Sequence, residues 1–128
     1  MVVGVFSVRA RPELDAAGYA ALNQRMWSIV SDRPEFGLIG LAGFKDEAGR
    51  SLAMAFFEDR QGMLAWKHEV EHAAAQQRGR DEFFVDYWGF VAEMKEAYEF
   101  DSTGGRREVP IDSHWRPAGF IGPAASGS

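Results

Sequence analysis

Apolar residues recur along this chain at two spacings, every second residue and every third or fourth, and the order in which the two alternate predicts the fold. Residues 2–8 carry β-branched side chains with Phe6, are followed by Arg9 and Pro12, and read as a first strand. Over residues 12–31 the spacing becomes helical: Leu14, Leu22, Met26 and Ile29 share one stripe, Pro12 suits a first turn and Pro34 closes the element. Tyr19, Asn23 and Trp27 form a second stripe on the same helix, expected to wall a cavity or else to lie on an exposed edge. Residues 36–44 and 51–58 are apolar and flank Asp46-Glu47-Ala48-Gly49-Arg50, so they read as a hairpin. Asp59 can cap a second helix, whose stripe of Met63, Trp66, Val70, Ala73 and Ala74 ends near Gln77, before Gly79. Residues 83–94 carry Phe, Val, Tyr and Trp almost without interruption and read as the last strand, with residues 92–98 alternatively starting a helix.

The order β-α-β-β-α-β is the ferredoxin-like pattern of the α+β class. Right-handed crossovers place both helices on one face of an antiparallel sheet. The strands, however, are apolar on both faces: Leu38 and Ala42 against Ile39 and Leu41, Met54 and Phe56 against Ala55 and Phe57, Tyr87 and Val91 against Trp88 and Phe90. The uncovered face must meet another subunit or lie under the tail, and a homodimer is the better fit. Residues 1–100 are expected to form the domain. Residues 101–128 turn to Ser, Gly, Arg and Pro and read as an extended tail, with Val109, Ile111, Trp115, Phe120 and Ile121 as anchors. His114 and Trp115 would then close the subunit's own pocket or reach its partner.

Composition narrows the function. A length of 128 residues suits one domain, and ten Phe with four Trp is rich enough to line a cavity. A net charge of −5 with no basic face argues against nucleic acid. There is no cysteine, so thiolate chemistry and disulfides are excluded. No stretch approaches the roughly 18 apolar residues of a membrane span, and residues 1–11 lack an export-signal pattern, so the expected location is the cytoplasm, away from membranes.

One run carries candidate chemistry. His68-Glu69-Val70-Glu71-His72 matches H-E-x-x-H, in which two histidines one helical turn apart hold zinc and the glutamate activates water. The extended pattern asks for Gly at Ala75 and His at Arg78, and a third ligand from Glu93 or Glu96 would have to come from the region of the last strand, so a zinc hydrolase is the remote alternative. The plain alternative makes His68 and His72 a solvated pair and Trp66 a core residue.

Several segments together resemble the antibiotic biosynthesis monooxygenase (ABM) domain family: Ser31-Asp32-Arg33-Pro34-Glu35-Phe36-Gly37 after the first helix, Ala65-Trp66-Lys67-His68 with Glu71-His72, Gln76-Gln77-Arg78-Gly79-Arg80, and residues 84–87. The resemblance covers residues 2–98. It implies a ferredoxin-like fold dimerised sheet to sheet into an α/β barrel, in a family that includes cofactor-free oxygenases of polyketide quinones and haem-degrading enzymes. Trp66 matches the second-helix tryptophan that lines the cavity between helices and sheet. The haem-degrading branch has its iron-ligating histidine at the position of Gln76 and an asparagine in the region of Phe6 and Ser7, so haem is a secondary expectation, with His72 one turn earlier as a substitute ligand. The quinone-oxygenase branch uses Asn, Trp and Tyr, for which Asn23, Tyr19 and Tyr87 are candidates by type.

The resulting expectation is a homodimeric, metal- and flavin-free monooxygenase of a small aromatic or polyketide-like substrate. His68, His72 and Trp66 are its catalytic residues, and Phe6, Tyr19, Asn23, Trp27 and Tyr87 bind the substrate. A non-catalytic ligand-binding or dimerisation module is the alternative from another class, because a fold alone does not license chemistry.

Overall fold

The computed structural model describes residues 1–111 and 115–120, with Val70 and Glu71 described by backbone only. His114 and the anchor expected at Ile121 lie outside the described residues. The chain runs β1 (Val2–Ala10), α1 (Ala16–Asp32), β2 (Leu38–Lys45), β3 (Ser51–Phe57), α2 (Arg60–Lys67), α3 (Val70–Arg78) and β4 (Phe84–Glu93). The sheet has the order β2-β3-β1-β4 with every pair antiparallel, which is the ferredoxin-like α+β arrangement.

Register assigns the two faces. Val2 pairs with Phe57, Gly4 with Ala55 and Phe6 with Ala53, and on the other side Phe6 lies opposite Gly89 and Val8 opposite Tyr87. This face meets the helices, because Val2, Ala55 and Phe57 form one buried cluster with Met26, Ile29 and Val30 of α1 and Met63 of α2. Val5 with Met54 and Phe90, and Ser7 with Leu52 and Trp88, point the other way. The sheet is therefore apolar on both sides with helices on only one, as the strand pattern implies.

Local capping moves several boundaries. α1 begins at Ala16, because the Asp15 carboxylate accepts from Gly18 N at 3.0 Å and caps the helix there, leaving Pro12 outside it. The second helix, expected to be continuous, is two. α2 ends at Lys67, and Glu69 caps α3 through Oε2, which accepts from His72 N at 2.9 Å. A carboxylate at that point satisfies an otherwise orphaned N–H and complements the positive end of the helix dipole, which makes a restart favourable. A five-residue π turn (Gly79–Phe83) leads into β4. Residues 92–98 do not start a helix. The chain leaves β4 and forms a hairpin of β5 (Tyr98–Asp101) and β6 (Gly105–Glu108), so the composition change at Asp101 falls inside a paired element.

Gly62, in the first turn of α2, sits against the turn at Pro34–Phe36. A Cβ there would stand 2.4 Å from Phe36 O and 2.9 Å from Phe36 C. Alanine is the better helix former at an exposed site by about 1 kcal/mol. Gly62→Ala is nevertheless expected to destabilise the protein by roughly 1–3 kcal/mol, since backbone must move to admit the methyl group. A thermal melt equal to or above that of the wild type would show that the packing of α2 does not depend on this glycine. No helix among the described residues is long and apolar enough to cross a membrane.

Candidate functional site

Two groups of aromatic rings lie between helices and sheet. The first centres on Trp66 of α2. Trp27 of α1 stacks on it with ring centroids 6.0 Å apart, Phe57 of β3 lies 5.7 Å away, and His72 of α3 lies against it at 3.9 Å with the planes 12° apart. The break between α2 and α3 brings His72 back over Trp66, and its Nδ1 sits 3.1 Å from Trp66 O. A carbonyl oxygen only accepts, so Nδ1 carries the proton and Nε2 holds the lone pair of the neutral ring. Burial pushes the His72 pKa below 6.5, against the opposing pull of the Trp66 carbonyl bond and the Glu69 charge. The arrangement is a neutral imidazole with a defined tautomer, held ring to ring on an indole. Trp66 Nε1 is buried and has no hydrogen-bond partner among the described residues.

The depressed pKa carries a stability prediction. In the unfolded chain the imidazole titrates near 6.5 and in the fold it titrates lower, so on acidification the unfolded state binds the proton first. The stabilisation linked to neutral His72 is complete above 6.5 and is lost as pH falls from there toward the folded value. The urea midpoint is expected to fall between about pH 7 and about pH 5 and to fall less in His72→Phe, where no proton can be taken up. Equal slopes in the two proteins would remove His72 from the account of acid sensitivity.

The second group joins Phe6, Tyr19 and Tyr87, three of the expected substrate-binding residues, with Phe83 and Phe84. Phe6 lies 5.3 Å from Tyr87 and 6.3 Å from Phe84, and Tyr19 lies 5.4 Å from Phe83 and 5.6 Å from Phe84. Burial raises the Tyr19 phenol above its ordinary 10.0, so this hydroxyl stays protonated and can donate. The Arg80 guanidinium donates to the Tyr87 hydroxyl at 3.1 Å. Along the helix-facing side of the sheet, Gly4, Gly89, Ala53 and Ala55 supply small residues to the same surface as Phe6 and Phe57. Phe83, 2% exposed, and Phe84 were missed by sequence reasoning, although the Phe-Phe pair was visible as the start of the last strand.

Two expected site residues fall elsewhere. Asn23 is exposed on α1 and joins neither ring group. His68 is exposed at the end of α2, where its N–H donates to Leu64 O.

The zinc geometry is not formed. His68 and His72 do not occupy successive turns of one helix, Glu69 is engaged as a cap, and among the described residues no three His, Cys, Asp or Glu side chains are grouped to hold a metal ion. Toward haem, Gln76 offers an amide in place of an imidazole, and His72, one turn earlier, offers Nε2 alone, because Nδ1 is engaged by Trp66 O.

The open face of the sheet carries a hollow of about 360 Å³ lined by Ser7, Phe44, Lys45, Asp46, Arg50, Leu52 and Trp88. Its floor is braced by Arg50, which donates from Nε to Ser7 Oγ at 2.6 Å and pairs with Asp86 at 2.7 Å. Asp86 is held below the ordinary carboxylate range, chiefly by Arg50 and also by Arg9.

These features define a ferredoxin-like domain with an aromatic, imidazole-bearing site between its helices and its sheet. The fold is that of the antibiotic biosynthesis monooxygenases. A solved structure described as an antibiotic biosynthesis monooxygenase matches with a TM-score of 0.60 at 12% identity over 74% of this chain and 99% of its own. SnoaB, a cofactor-independent oxygenase from Streptomyces nogalater, matches with a TM-score of 0.55 at 11% identity over 73% of this chain and 94% of its own. A dimeric ferredoxin-like protein of unknown function from Thermobifida fusca matches with a TM-score of 0.55 at 14% identity over 73% and 92%. By sequence, the uncharacterized protein YqjZ of Bacillus subtilis is 29% identical over 77 residues, which is 60% of this chain and 66% of that protein. No family model matches the chain.

Proposed function

We propose that the protein is a homodimeric monooxygenase of a small aromatic, phenol-bearing substrate and that it works without metal or flavin. The observation that carries this reading is the stack of His72 on Trp66, with Nδ1 committed to Trp66 O and the lone pair that can accept a proton therefore on Nε2. SnoaB, which shares the fold, is described as a cofactor-independent oxygenase, and this supports the reading. The Thermobifida fusca neighbour is described as dimeric, which with the two-sided sheet supports the homodimer. On this reading residues 1–100 form the ABM-like domain, residues 101–128 are an addition to it, and the cytoplasm is the working compartment.

The chemistry asks little of the protein. Nε2 takes the proton of a phenol, and the electron-rich anion passes an electron to O2. In the anion the carbon conjugated with the phenolate oxygen, a CH2 in the keto tautomer, keeps one hydrogen. The radical pair joins there as a peroxide, which takes back the proton from Nε2–H and loses water with the last hydrogen to leave a carbonyl. One oxygen atom enters the product and one leaves as water, so four electrons from the substrate account for the whole O2. Trp27, Phe57 and Trp66 provide the apolar surroundings that exclude water, and Trp66 Nε1 is the donor available to the anionic oxygen. Tyr19, Phe6 and Tyr87 would hold the far rings of a polycyclic substrate. Oxygen-electrode measurements with an anthrone and chelator-treated protein are expected to show one O2 consumed per quinone formed. Quenching of tryptophan fluorescence by the same compound with no oxygen uptake would return the non-catalytic binding module.

A further inference from the structure

The open face of the sheet is closed at one end by the chain itself. Trp115 and Phe120 stack on Phe56 at 6.2 and 4.8 Å, with planes 24° and 22° apart, and Phe56 is left 6% exposed. The other end is bare: Phe44, Trp88 and Phe90 are 54%, 47% and 54% exposed, Trp88 and Phe90 are stacked at 6.1 Å, and the hollow over Ser7 and Leu52 opens between Phe44 and Trp88.

Among the described residues, the segment that covers Phe56 meets it through ring stacking. Its described backbone hydrogen bond, Phe120 N to Pro117 O at 3.2 Å, is local and does not extend the sheet. The Trp115 Nε1–H is buried with no acceptor among the described residues, a cost that release of the segment into water would relieve. Release would expose the rings on Phe56 while returning water to Trp115 Nε1, and an apolar partner surface on Phe56 would offset the exposure, making Phe56 continuous with the bare end.

The rim of the hollow indicates what would take its place. Lys45 stands beside Asp46, and Arg50 is paired with Asp86, so both signs alternate around an apolar centre. Such a mixed rim disfavours a partner of one strong charge and allows a second copy of the same face. On the sheet-to-sheet dimer of the reading above, whose seat would include Phe44, Trp88 and Phe90, we propose that the segment 115–120 masks the rest of that face, so that its release from Phe56 and dimer formation are coupled. The proposal rests on the homodimeric reading above and adds what competes with it.

Sedimentation velocity on the full chain over a concentration series tests it. Trp115→Ala with Phe120→Ala is expected to tighten dimerisation by about tenfold or more. Trp115→Phe keeps a ring on Phe56 but removes the unpaired N–H, so it is expected to strengthen the mask and weaken the dimer. Trp88→Asp, at an exposed position, is expected to give a folded monomer by circular dichroism. A dissociation constant unchanged or raised in the double variant overturns the mask while leaving the dimer standing. Wild-type dimerisation by Trp88→Asp overturns the seat. Wild type and double variant both monomeric at every concentration overturn the homodimeric reading itself.

Discussion

His72→Phe is expected to lower oxygenase turnover by roughly 10²- to 10⁴-fold, the range for loss of a positioned general base. Phenylalanine keeps a flat ring against Trp66, so the stack at 3.9 Å survives while both nitrogens are lost. Because the fold is kept, the loss should appear in kcat more than in KM, and imidazole added to the buffer should restore part of the rate. His68→Ala is expected to leave the rate near that of the wild type, since His68 is exposed at the end of α2 and, unlike His72, is not stacked on Trp66. A His72→Phe enzyme of wild-type activity would remove the base from the mechanism, and a loss shared equally by His68→Ala would mean that neither histidine has the separate role assigned to it.

Phe57→Ala is expected to be the most damaging single substitution for stability, at roughly 3–5 kcal/mol. Phe57 is 1% exposed, pairs with Val2 across β1 and β3, and packs in the cluster that holds Val30, Leu38 and Met63 as well as against the Trp66 ring. Against a total of about 5–15 kcal/mol, a loss of that size raises the unfolded fraction by two to three orders of magnitude or more. Urea denaturation should show a lower midpoint with an unchanged slope. A cost under about 1 kcal/mol would mean that the helices and sheet collapse onto the vacated space, contrary to the rigid packing inferred around Trp66.

The architecture was legible because strand and helix periods differ and because the strands are apolar on both sides, which betrays a sheet with one face uncovered. The break within the second helix was not legible. The stripe of Met63, Trp66, Val70 and Ala73 continues through it, and the capping residue at the restart is Glu69, outside the usual Ser, Thr, Asp and Asn set. That break decides the site, since it separates His68 from His72 and turns only the second toward Trp66. The hairpin at residues 98–108 was hidden by the polar composition from Asp101 onward, although Tyr98 and Phe100 alternate and Gly104-Gly105 offers a turn. The Arg50 brace under Ser7 depends on residues 43 apart in sequence, a pairing that no local pattern encodes. Tyr19 and Tyr87 were chosen by residue type and, with Phe6, each contact the Phe84 ring, whereas Asn23 was chosen the same way and joins neither ring group.

The central claim is that O2 itself, without metal or flavin, supplies the oxygen atom at the site built on Trp66 and His72. Its most direct test is product formation from an anthrone by chelator-treated protein under ¹⁸O2. The account predicts one labelled oxygen in each quinone, with His72→Phe making little labelled product. Unlabelled quinone, or label incorporated only after haem or a metal ion is added, would contradict it.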